Sequence, residues 1–200
     1  LRINPLKTER DTFLLQAPFS LNRVPWTTNG YYYSGNDQPG RHPYHEAGVY
    51  YIQEPSAMAP AEYLMAEPGE RILDLCAAPG GKSTQIACSM QGEGLIVCNE
   101  IHPARAKILS ENIERMGVCN ALVTNETPQK LSDNFREYFD RILVDAPCSG
   151  EGMFRKNDAE REWSIEHVKS CAARQLLILN SAKDALKNGG YMVYSTCTFS

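Results

Sequence analysis

Residues 72–82 read Ile-Leu-Asp-Leu-Cys-Ala-Ala-Pro-Gly-Gly-Lys, and this stretch decides the fold. It begins as an apolar strand, continues as a loop of small residues, and is followed by a predicted helix from Ser83. Pro79 lacks a backbone N–H, whereas Gly80 and Gly81 tolerate positive φ and allow a ligand to approach the main chain. A helix that starts here directs its free N–H groups at the loop, so the stretch predicts a cradle for a cofactor.

Two classes of ligand are compatible with this loop. The phosphate-binding pattern G-x-x-x-x-G-K-[ST] fits from Cys76 onward except for its first glycine, and residues 141–145 could then supply a magnesium-binding strand. The D-x-G-x-G-x-G pattern of sheets that bind nucleoside cofactors fits from Asp74 onward with two small-residue replacements. A predicted strand ends at Glu100, about 20 residues beyond the loop, where such sheets hydrogen-bond a ribose. This favours the nucleoside ligand, while the phosphate ligand and a purely structural turn stay open.

Composition limits the classes of protein to consider. The chain has 200 residues, 42% of them hydrophobic, which is enough for one sizeable α/β core. It has no apolar run of about 18 residues and no signal-peptide pattern, and its seven cysteines predict reduced thiols rather than a disulfide framework. We therefore expect a cytoplasmic, monomeric protein with no membrane association. A net charge of −4 argues against a purely electrostatic nucleic-acid binder but allows a local basic cleft.

Residues 1–47 differ from the rest because they are rich in Pro, Asn, Tyr and Gly, and we predict a small irregular N-terminal lobe that binds RNA. Segments 13–20 and 25–28 carry signals of extended chain, and 31–40 combines three tyrosines with turn residues. Cations interleave with tyrosines, a mixture that stacks bases and holds phosphates. The alternative, equally open, is that the tyrosines close a small core. The residues concerned are Arg2, Lys7, Arg10, Arg23, Arg41, His42, His45, Tyr31, Tyr32, Tyr33 and Tyr44.

Residues 48–200 alternate between strand and helix signals, which predicts an α/β domain with a doubly wound, mostly parallel sheet. The expected strands are 71–75, 95–99, 121–124, 140–144 and 191–194, and the expected helices are 55–65, 83–90, 103–116 and 165–186. In such a sheet ligands bind at the carboxyl ends of the strands, where the strand order reverses. The loop after the fourth strand carries Asp145 and Cys148, and the fifth strand ends near Cys197. Two thiols converging with an aspartate are not an arrangement for phosphate transfer.

Three motifs now identify a resemblance. The segments Cys76-Ala-Ala-Pro-Gly-Gly-Lys82, Asp145-Ala-Pro-Cys148-Ser-Gly and Ser195-Thr-Cys197-Thr resemble, in order and spacing, those of the Sun-type RNA (cytosine-5) methyltransferases. The strings at 48–58 and 150–156 are similar to the bacterial small-subunit methyltransferase F-like branch, which acts on ribosomal RNA. The resemblance covers nearly the whole chain.

The resemblance implies a Rossmann-like class I fold, S-adenosylmethionine as cofactor and 5-methylcytosine in RNA as product. Transfer RNA is the alternative substrate, and a P-loop-like NTPase and a non-enzymatic RNA-binding module are the remaining alternatives. The chain departs from the family by ending at Ser200, where the resemblance predicts further strands and a C-terminal RNA-binding domain. We therefore expect a domain truncated at its C-terminal end.

The resemblance also implies roles for individual residues. Carbon 5 of cytosine is a poor nucleophile, so a thiolate must first add to carbon 6, and cysteine suits this because it attacks readily and can leave again. By resemblance Cys197 is this nucleophile, Asp145 hydrogen-bonds the cytosine edge, and Cys148 assists the breakdown of the adduct. Four other cysteines are expected to be small packing residues. These are Cys88, Cys98, Cys119 and Cys171.

The cofactor is expected to lie against the loop and the ends of three strands, with no metal. Glu100 would accept hydrogen bonds from the ribose hydroxyls, and Asn125 would face the adenine in place of the acid that the family often has there. Asp145 borders the same pocket, and Arg155 and Lys156 are expected to contact RNA phosphates. The loop residues expected to hold the cofactor are Cys76, Ala77, Ala78, Pro79, Gly80, Gly81 and Lys82.

Overall fold

A computed structural model describes residues 1–153 and 163–198. The elements in chain order are β1 Arg2–Ile3, α1 Arg10–Gln16, β2 Leu21–Arg23, β3 Tyr31–Tyr33, α2 Pro43–Glu46, β4 Tyr50–Tyr51, α3 Pro55–Leu64, β5 Arg71–Asp74, α4 Gly81–Met90, β6 Leu95–Asn99, α5 Pro103–Arg115, β7 Ala121–Thr124, α6 Pro128–Asn134, β8 Phe139–Asp145, α7 Ile165–Ala185 and β9 Leu186–Ser195. Short 3₁₀ turns lie at Pro39–Arg41 and Glu151–Met153.

The main sheet has five parallel strands in the order β7-β6-β5-β8-β9. From β5 the chain winds outward through β6 and β7, then returns to the other side of β5 to form β8. This confirms the predicted doubly wound sheet, in which the first and fourth of the predicted strands, β5 and β8, are neighbours. The strand order reverses between β5 and β8, so the loops that follow these two strands face each other at the carboxyl edge.

Both faces of the sheet are covered, which explains why its central strands are apolar on both sides. Ile72 packs on one face with Ile86 of α4 and Leu109 of α5. Its neighbour Leu73 points to the opposite face and packs with Ile178 of α7. The alternation along β5 therefore joins two layers of helices into a three-layer domain.

The N-terminal lobe is more regular than its composition predicts. β1 pairs with β4 and β2 pairs with β3, both antiparallel, and α1 occupies part of segment 13–20, where we expected extended chain. That expectation was wrong because Phe13, the buried residue of α1, packs its ring 5.9 Å from that of Tyr50. β1 and β4 lie on opposite sides of the expected boundary at residue 47, and this boundary stays a prediction.

Two further differences concern the main domain. The sequence analysis missed α6, although Thr127 caps it by accepting a hydrogen bond from the backbone of Lys130 and Pro128 occupies its first position. β9 also begins at Leu186, five residues before the predicted start at Tyr191. The sequence 187–190 resembles a turn and was therefore not predicted as strand. In the structure it belongs to β9, whose pairing with β8 shifts register between Phe139 and Arg141.

Candidate active site

The loop between β5 and α4 is held by its own backbone and by the neighbouring strand. The N–H of Ala77 donates to the carbonyl of Asn99 at 2.8 Å, and the N–H of Gly80 donates to the carbonyl of Ala77 at 2.8 Å. The Ala78–Pro79 peptide bond is cis, and Gly80 has a φ of 108°. No side chain caps the start of α4 at Gly80, so the first N–H groups of this helix are available to a ligand.

Helix α5 supports the same loop from the outside. Arg105 donates to the carbonyl of Ala78 at 2.8 Å, and Asn112 donates to the carbonyl of Pro79 at 2.8 Å. At Gly80 a Cβ atom would lie 3.1 Å from Leu109, and its positive φ disfavours any side chain. Three consecutive loop residues are thus fixed by one helix. The sequence analysis missed Arg105 and Asn112 because nothing local indicates that their side chains reach back to residues 78 and 79.

The N-terminal lobe also contacts this region, through Arg2. Its guanidinium donates to the carbonyl of Gly81 at 2.5 Å, to Thr84 Oγ1 at 2.7 Å and to Gln53 Oε1 at 2.6 Å. Arg2 is 2% exposed, so the expectation that it binds RNA phosphates was wrong. The guanidinium is instead buried against the first turn of α4, where Gly81 and Thr84 accept its hydrogen bonds.

Asp74 lies beneath the loop at the end of β5 and is 1% exposed. Its Oδ2 accepts from Ser83 Oγ at 2.6 Å, whereas its Oδ1 is buried with no hydrogen-bond partner among the described residues. Burial raises the pKa of Asp74 to about 6, against the opposing effects of Ser83 and Lys82. Asp74 is therefore a buried carboxyl with one unsatisfied oxygen, and it lies at the floor of the site.

Glu100 follows β6, and its side chain is 3% exposed. One carboxylate oxygen accepts from the backbone N–H of His102 at 3.0 Å, and the other lies 3.2 Å from Arg105 Nη1. The side chain of Asn125, after β7, donates to the backbone carbonyl of Glu100 at 2.6 Å. Glu100 and Asn125 are thus brought together at the sheet edge, as expected from the parallel strands.

Asp145 joins the loop to the ends of β8 and β9. Its Oδ2 accepts from Lys82 Nζ at 2.6 Å, and its Oδ1 accepts from Ser195 Oγ at 2.7 Å. Each oxygen of this carboxylate therefore has one such partner and retains capacity to accept a further hydrogen bond. Sequence reasoning assigned Lys82 to the loop but did not foresee that it pairs with Asp145.

Cys148 and Cys197 meet beyond the ends of β8 and β9, with their sulfur atoms 2.9 Å apart. The backbone N–H of Cys197 donates to Cys148 Sγ at 3.3 Å, and the N–H of Gly152 donates to the carbonyl of Cys197 at 2.7 Å. The hydroxyls of Ser149 and Thr198 lie 2.8 Å apart and join the same two loops. The thiol pair is held in place by hydrogen bonds on both sides.

The two thiols have opposite pKa shifts. The pKa of Cys148 is lowered to about 5, first by the thiol of Cys197 and then, against burial, by backbone N–H groups of Gly150 and Cys197. The pKa of Cys197 is raised, because its thiol donates to Cys148 and because it is desolvated next to negative charge. At neutral pH the pair therefore shares one proton across the contact between the two sulfur atoms.

The remaining cysteines behave differently from this pair, and all seven are free. Cys76, in the loop, is half-buried, and burial followed by the charge of Asp74 raises its pKa to about 12, so it stays a neutral thiol. Cys98 and Cys171 are buried packing residues as expected, and Cys88 is half-buried. Cys119 is exposed, so the expectation that it packs inside was wrong.

Arg155 and Lys156 lie outside the described residues. Within residues 1–153 and 163–198, no cluster of three His, Cys, Asp or Glu side chains is arranged to hold a metal ion. Over the same ranges, no helix combines the length and apolar character required to cross a membrane.

Two protein families match this sequence. The family described as 16S rRNA methyltransferase RsmB/F matches residues 61–200, and the N-terminal domain of 16S rRNA methyltransferase RsmF matches residues 1–55. The protein named ribosomal RNA small subunit methyltransferase F from Vibrio vulnificus is 44% identical to this chain, and the match covers 100% of this chain and 44% of that protein. The protein of the same name from Citrobacter koseri is also 44% identical, over 99% of this chain and 43% of that protein. The chain thus spans less than half the length of the curated relatives it matches.

Solved structures agree with these matches. A methyltransferase homolog protein from Pyrococcus horikoshii is 32% identical, covers 100% of this chain and 64% of its own, and superimposes with a TM-score of 0.88. NSun6 from Pyrococcus horikoshii with SFG, at 23% identity, covers 100% of this chain and 75% of its own with a TM-score of 0.87, and supports the fold. Since one family profile spans well over half of the residues and the fold agrees, the chain belongs to the 16S rRNA methyltransferase RsmB/F family.

Proposed function

We propose that this chain carries the catalytic domain of an RNA (cytosine-5) methyltransferase that uses S-adenosylmethionine and acts on ribosomal RNA. The observation that carries this proposal is the pair formed by Cys148 and Cys197, whose sulfur atoms are 2.9 Å apart beside the carboxylate of Asp145. A thiol that attacks and a second group that accepts protons are what methylation at carbon 5 of a pyrimidine requires. The names of the relatives support ribosomal RNA as substrate, with transfer RNA as the alternative.

In this proposal Cys197 is the nucleophile, and Cys148 controls its proton. The two sulfur atoms are within hydrogen-bond distance and either can be the donor, so the proton of Cys197 can pass to Cys148, or to solvent at exposed Cys197, as its sulfur adds to carbon 6 of the cytosine. In the free protein this transfer is unfavourable, because the pKa of Cys148 is low and that of Cys197 is raised. The sulfur of Cys197 is therefore expected to react slowly until a bound cytosine accepts its electron pair.

Asp145 and Lys82 would hold the cytosine edge. Asp145 keeps free acceptor sites for the exocyclic amino group. Lys82, whose Nζ lies 2.6 Å from Asp145 Oδ2, would place a positive charge near the ring nitrogen of the cytosine, where negative charge develops. After methyl transfer, carbon 5 must lose a proton before Cys197 can leave, and Cys148 assists this step. Cys148 is only half-buried, so a proton that it first accepted can reach solvent before then.

The residues around the loop fit S-adenosylmethionine. The uncapped start of α4 at Gly81 suits the carboxylate of its methionine part, and Glu100 suits the two ribose hydroxyls. Asn125 keeps its amide oxygen for the adenine, since its nitrogen donates to Glu100. When bound, the cofactor supplies the electrophilic methyl group. A triphosphate fits less well, because Lys82 is already paired with Asp145 and Cys76 replaces the first glycine of the P-loop pattern.

The N-terminal lobe, residues 1–47 in our division, is proposed to contact the RNA. Tyr31 belongs to its core, but Tyr32, Tyr33 and Trp26 are 42%, 37% and 45% exposed and can stack on bases. Exposed Arg23 on β2 lies opposite Tyr31 in the pairing of β2 with β3 and supplies a cation for phosphate. We expect the protein to act as a monomer in the cytoplasm, where ribosomal RNA is available.

The test uses the full-length protein with labelled S-adenosylmethionine. Small ribosomal subunits, ribosomal RNA and transfer RNA are each offered as substrate, and nucleoside analysis identifies the methylated product. We expect 5-methylcytosine in ribosomal RNA. Label in transfer RNA alone would favour the alternative substrate. Binding of ATP with magnesium, without binding of S-adenosylhomocysteine, would contradict the proposal and favour an NTPase, and binding of neither would favour an RNA-binding module.

A further inference from the structure

Arg105 joins the two walls of the proposed cofactor pocket. Its Nη1 lies 3.2 Å from Glu100 Oε2, and its Nη2 donates to the carbonyl of Ala78 at 2.8 Å. Glu100 is nearly fully buried, whereas the side chain of Arg105 is 53% exposed. One planar guanidinium therefore spans the distance from the acid after β6 to the loop after β5, and its fork geometry allows both contacts at once.

The position of Arg105 is unfavourable for helix stability alone. It is the third residue of α5, in the first turn, where the helix dipole favours negative rather than positive side chains. The first turn of α5 contains no acidic residue. A cation at this end is explained by its partners outside the helix, because the guanidinium forms an ion pair with Glu100 and donates a hydrogen bond to the carbonyl of Ala78.

Glu100 depends on this contact for its orientation. A carboxylate offers about four acceptor sites, and two of them are used by the N–H of His102 and by Arg105. The remaining sites are directed away from these two donors. Without the guanidinium, one oxygen of a buried carboxylate would lose its charged partner and the side chain would be free to rotate.

We propose that Arg105 is a positioning residue for the cofactor: it fixes the Glu100 carboxylate for the ribose hydroxyls and fixes the Ala78 carbonyl in the loop. This inference rests on the proposed function, since it takes the cofactor to be a nucleoside with a free ribose. Arg105 acts through Glu100 and Ala78 and takes no part in the chemistry at the cysteines. Its loss should therefore raise the KM for S-adenosylmethionine and leave kcat at saturating cofactor essentially unchanged.

The test measures S-adenosylhomocysteine binding by calorimetry in the full-length protein. Arg105→Met is expected to weaken binding about 10-fold or more, as for loss of a hydrogen bond to a charged group. Arg105→Lys keeps the charge but not the fork, and should fall between Arg105→Met and wild type. Lys107→Met, on the exposed surface of the same helix, is the matched control and should bind as wild type. Melting temperatures without ligand separate local from global effects.

A second readout separates positioning from general support of the fold. The 2′-deoxyribose analogue of S-adenosylhomocysteine should bind wild type more weakly than the parent ligand does, and this difference should shrink in Arg105→Met. The effects of Arg105→Met and Glu100→Gln should be non-additive, because they remove the same contact. Unchanged affinity in Arg105→Met, or weaker affinity with full ribose discrimination and additivity, would overturn the inference. Failure of wild type to bind either ligand would instead overturn the proposed function, and the inference with it.

Discussion

The sulfur of Cys148 lies 2.9 Å from the sulfur of Cys197 although 49 positions separate them in the sequence. The distance follows from the topology, because β8 and β9 are neighbouring parallel strands that end at the same edge, with Asp145 aligned with Ser195. Each thiol then determines the protonation of the other. The pair behaves as one titrating unit, and the properties of either cysteine depend on the presence of its neighbour.

This coupling predicts an unusual pH dependence of thiol reactivity. Alkylation of Cys148 by iodoacetamide should persist down to about pH 5, where the pair takes up its second proton. A reference thiol such as glutathione should slow below about pH 8.5. In Cys197→Ala the pKa of Cys148 should rise, because the strongest donor to its sulfur is removed. Mass spectrometry of the alkylated peptides measures both, and identical profiles for Cys148 and glutathione in the wild type would contradict the shared proton.

Asp74 should make stability fall as pH rises. Its pKa is about 6 in the folded protein against 3.8 for an ordinary aspartate, so between these values the folded state holds a proton that the unfolded state releases. The free energy of unfolding therefore decreases from about pH 4 to pH 6, by up to about 3 kcal/mol. Asp74→Asn removes this loss and should raise the melting temperature more at pH 7.5 than at pH 4. A difference that does not vary with pH would exclude this cause.

Lys82 should matter more for turnover than for cofactor affinity. Its ammonium is 2.6 Å from Asp145 and about 17% exposed, so Lys82→Met leaves a carboxylate without its cation beside the cytosine site. We expect kcat to fall by about 100-fold, as when one electrostatic stabiliser of a transition state is lost. Although the sequence led us to expect Lys82 among the residues that hold the cofactor, its ammonium is paired with Asp145, so affinity for S-adenosylhomocysteine should change little. Lys130→Met, which removes the exposed pair of Lys130 with Glu126, is the control and should leave both quantities unchanged.

Arg2 should stabilise the attachment of the lobe to α4. Its buried guanidinium donates to Gly81, Thr84 and Gln53, and Arg2→Met would remove these three hydrogen bonds from the contact between the lobe and α4. We expect the free energy of unfolding of the full-length protein to fall by roughly 3 kcal/mol. Arg10→Met removes an exposed cation paired with Asp11 and should leave the free energy of unfolding essentially unchanged. Equal effects of the two substitutions in chemical denaturation would refute the role of Arg2.

The main sheet could be predicted because each of its central strands is a short apolar run bounded by turn residues. β6 and β7 were predicted with their observed bounds, and α5 differs by one residue at its end. The parallel topology then brought Asp145, Cys148 and Cys197 to one edge without any knowledge of side-chain contacts. The features that follow from hydrophobic periodicity and from strand order could therefore be predicted from the sequence.

The contacts between distant segments could not be predicted. Arg2 looks like any basic residue of a polar lobe, and only the fold shows that α4 supplies its acceptors. The side chain of Arg105, on α5, contacts residue 78 in the loop after β5. The side chain of Lys82, on α4, contacts Asp145 at the end of β8. α1 was missed because a single buried residue, Phe13, gives too weak a period to be recognised.

The central claim is that Cys197 forms the covalent bond to cytosine and that Cys148 serves its release. It is tested most directly by incubating the full-length Cys148→Ala and Cys197→Ala variants with labelled RNA and S-adenosylmethionine and separating the products on a denaturing gel. Cys148→Ala should still attack, because exposed Cys197 can lose its proton to solvent. It should then stall, because proton removal from carbon 5 is impaired, and a slow protein–RNA band should appear. Cys197→Ala should give no such band and no methylated product. A stable band from Cys197→Ala and none from Cys148→Ala would contradict the account by assigning the nucleophile to Cys148.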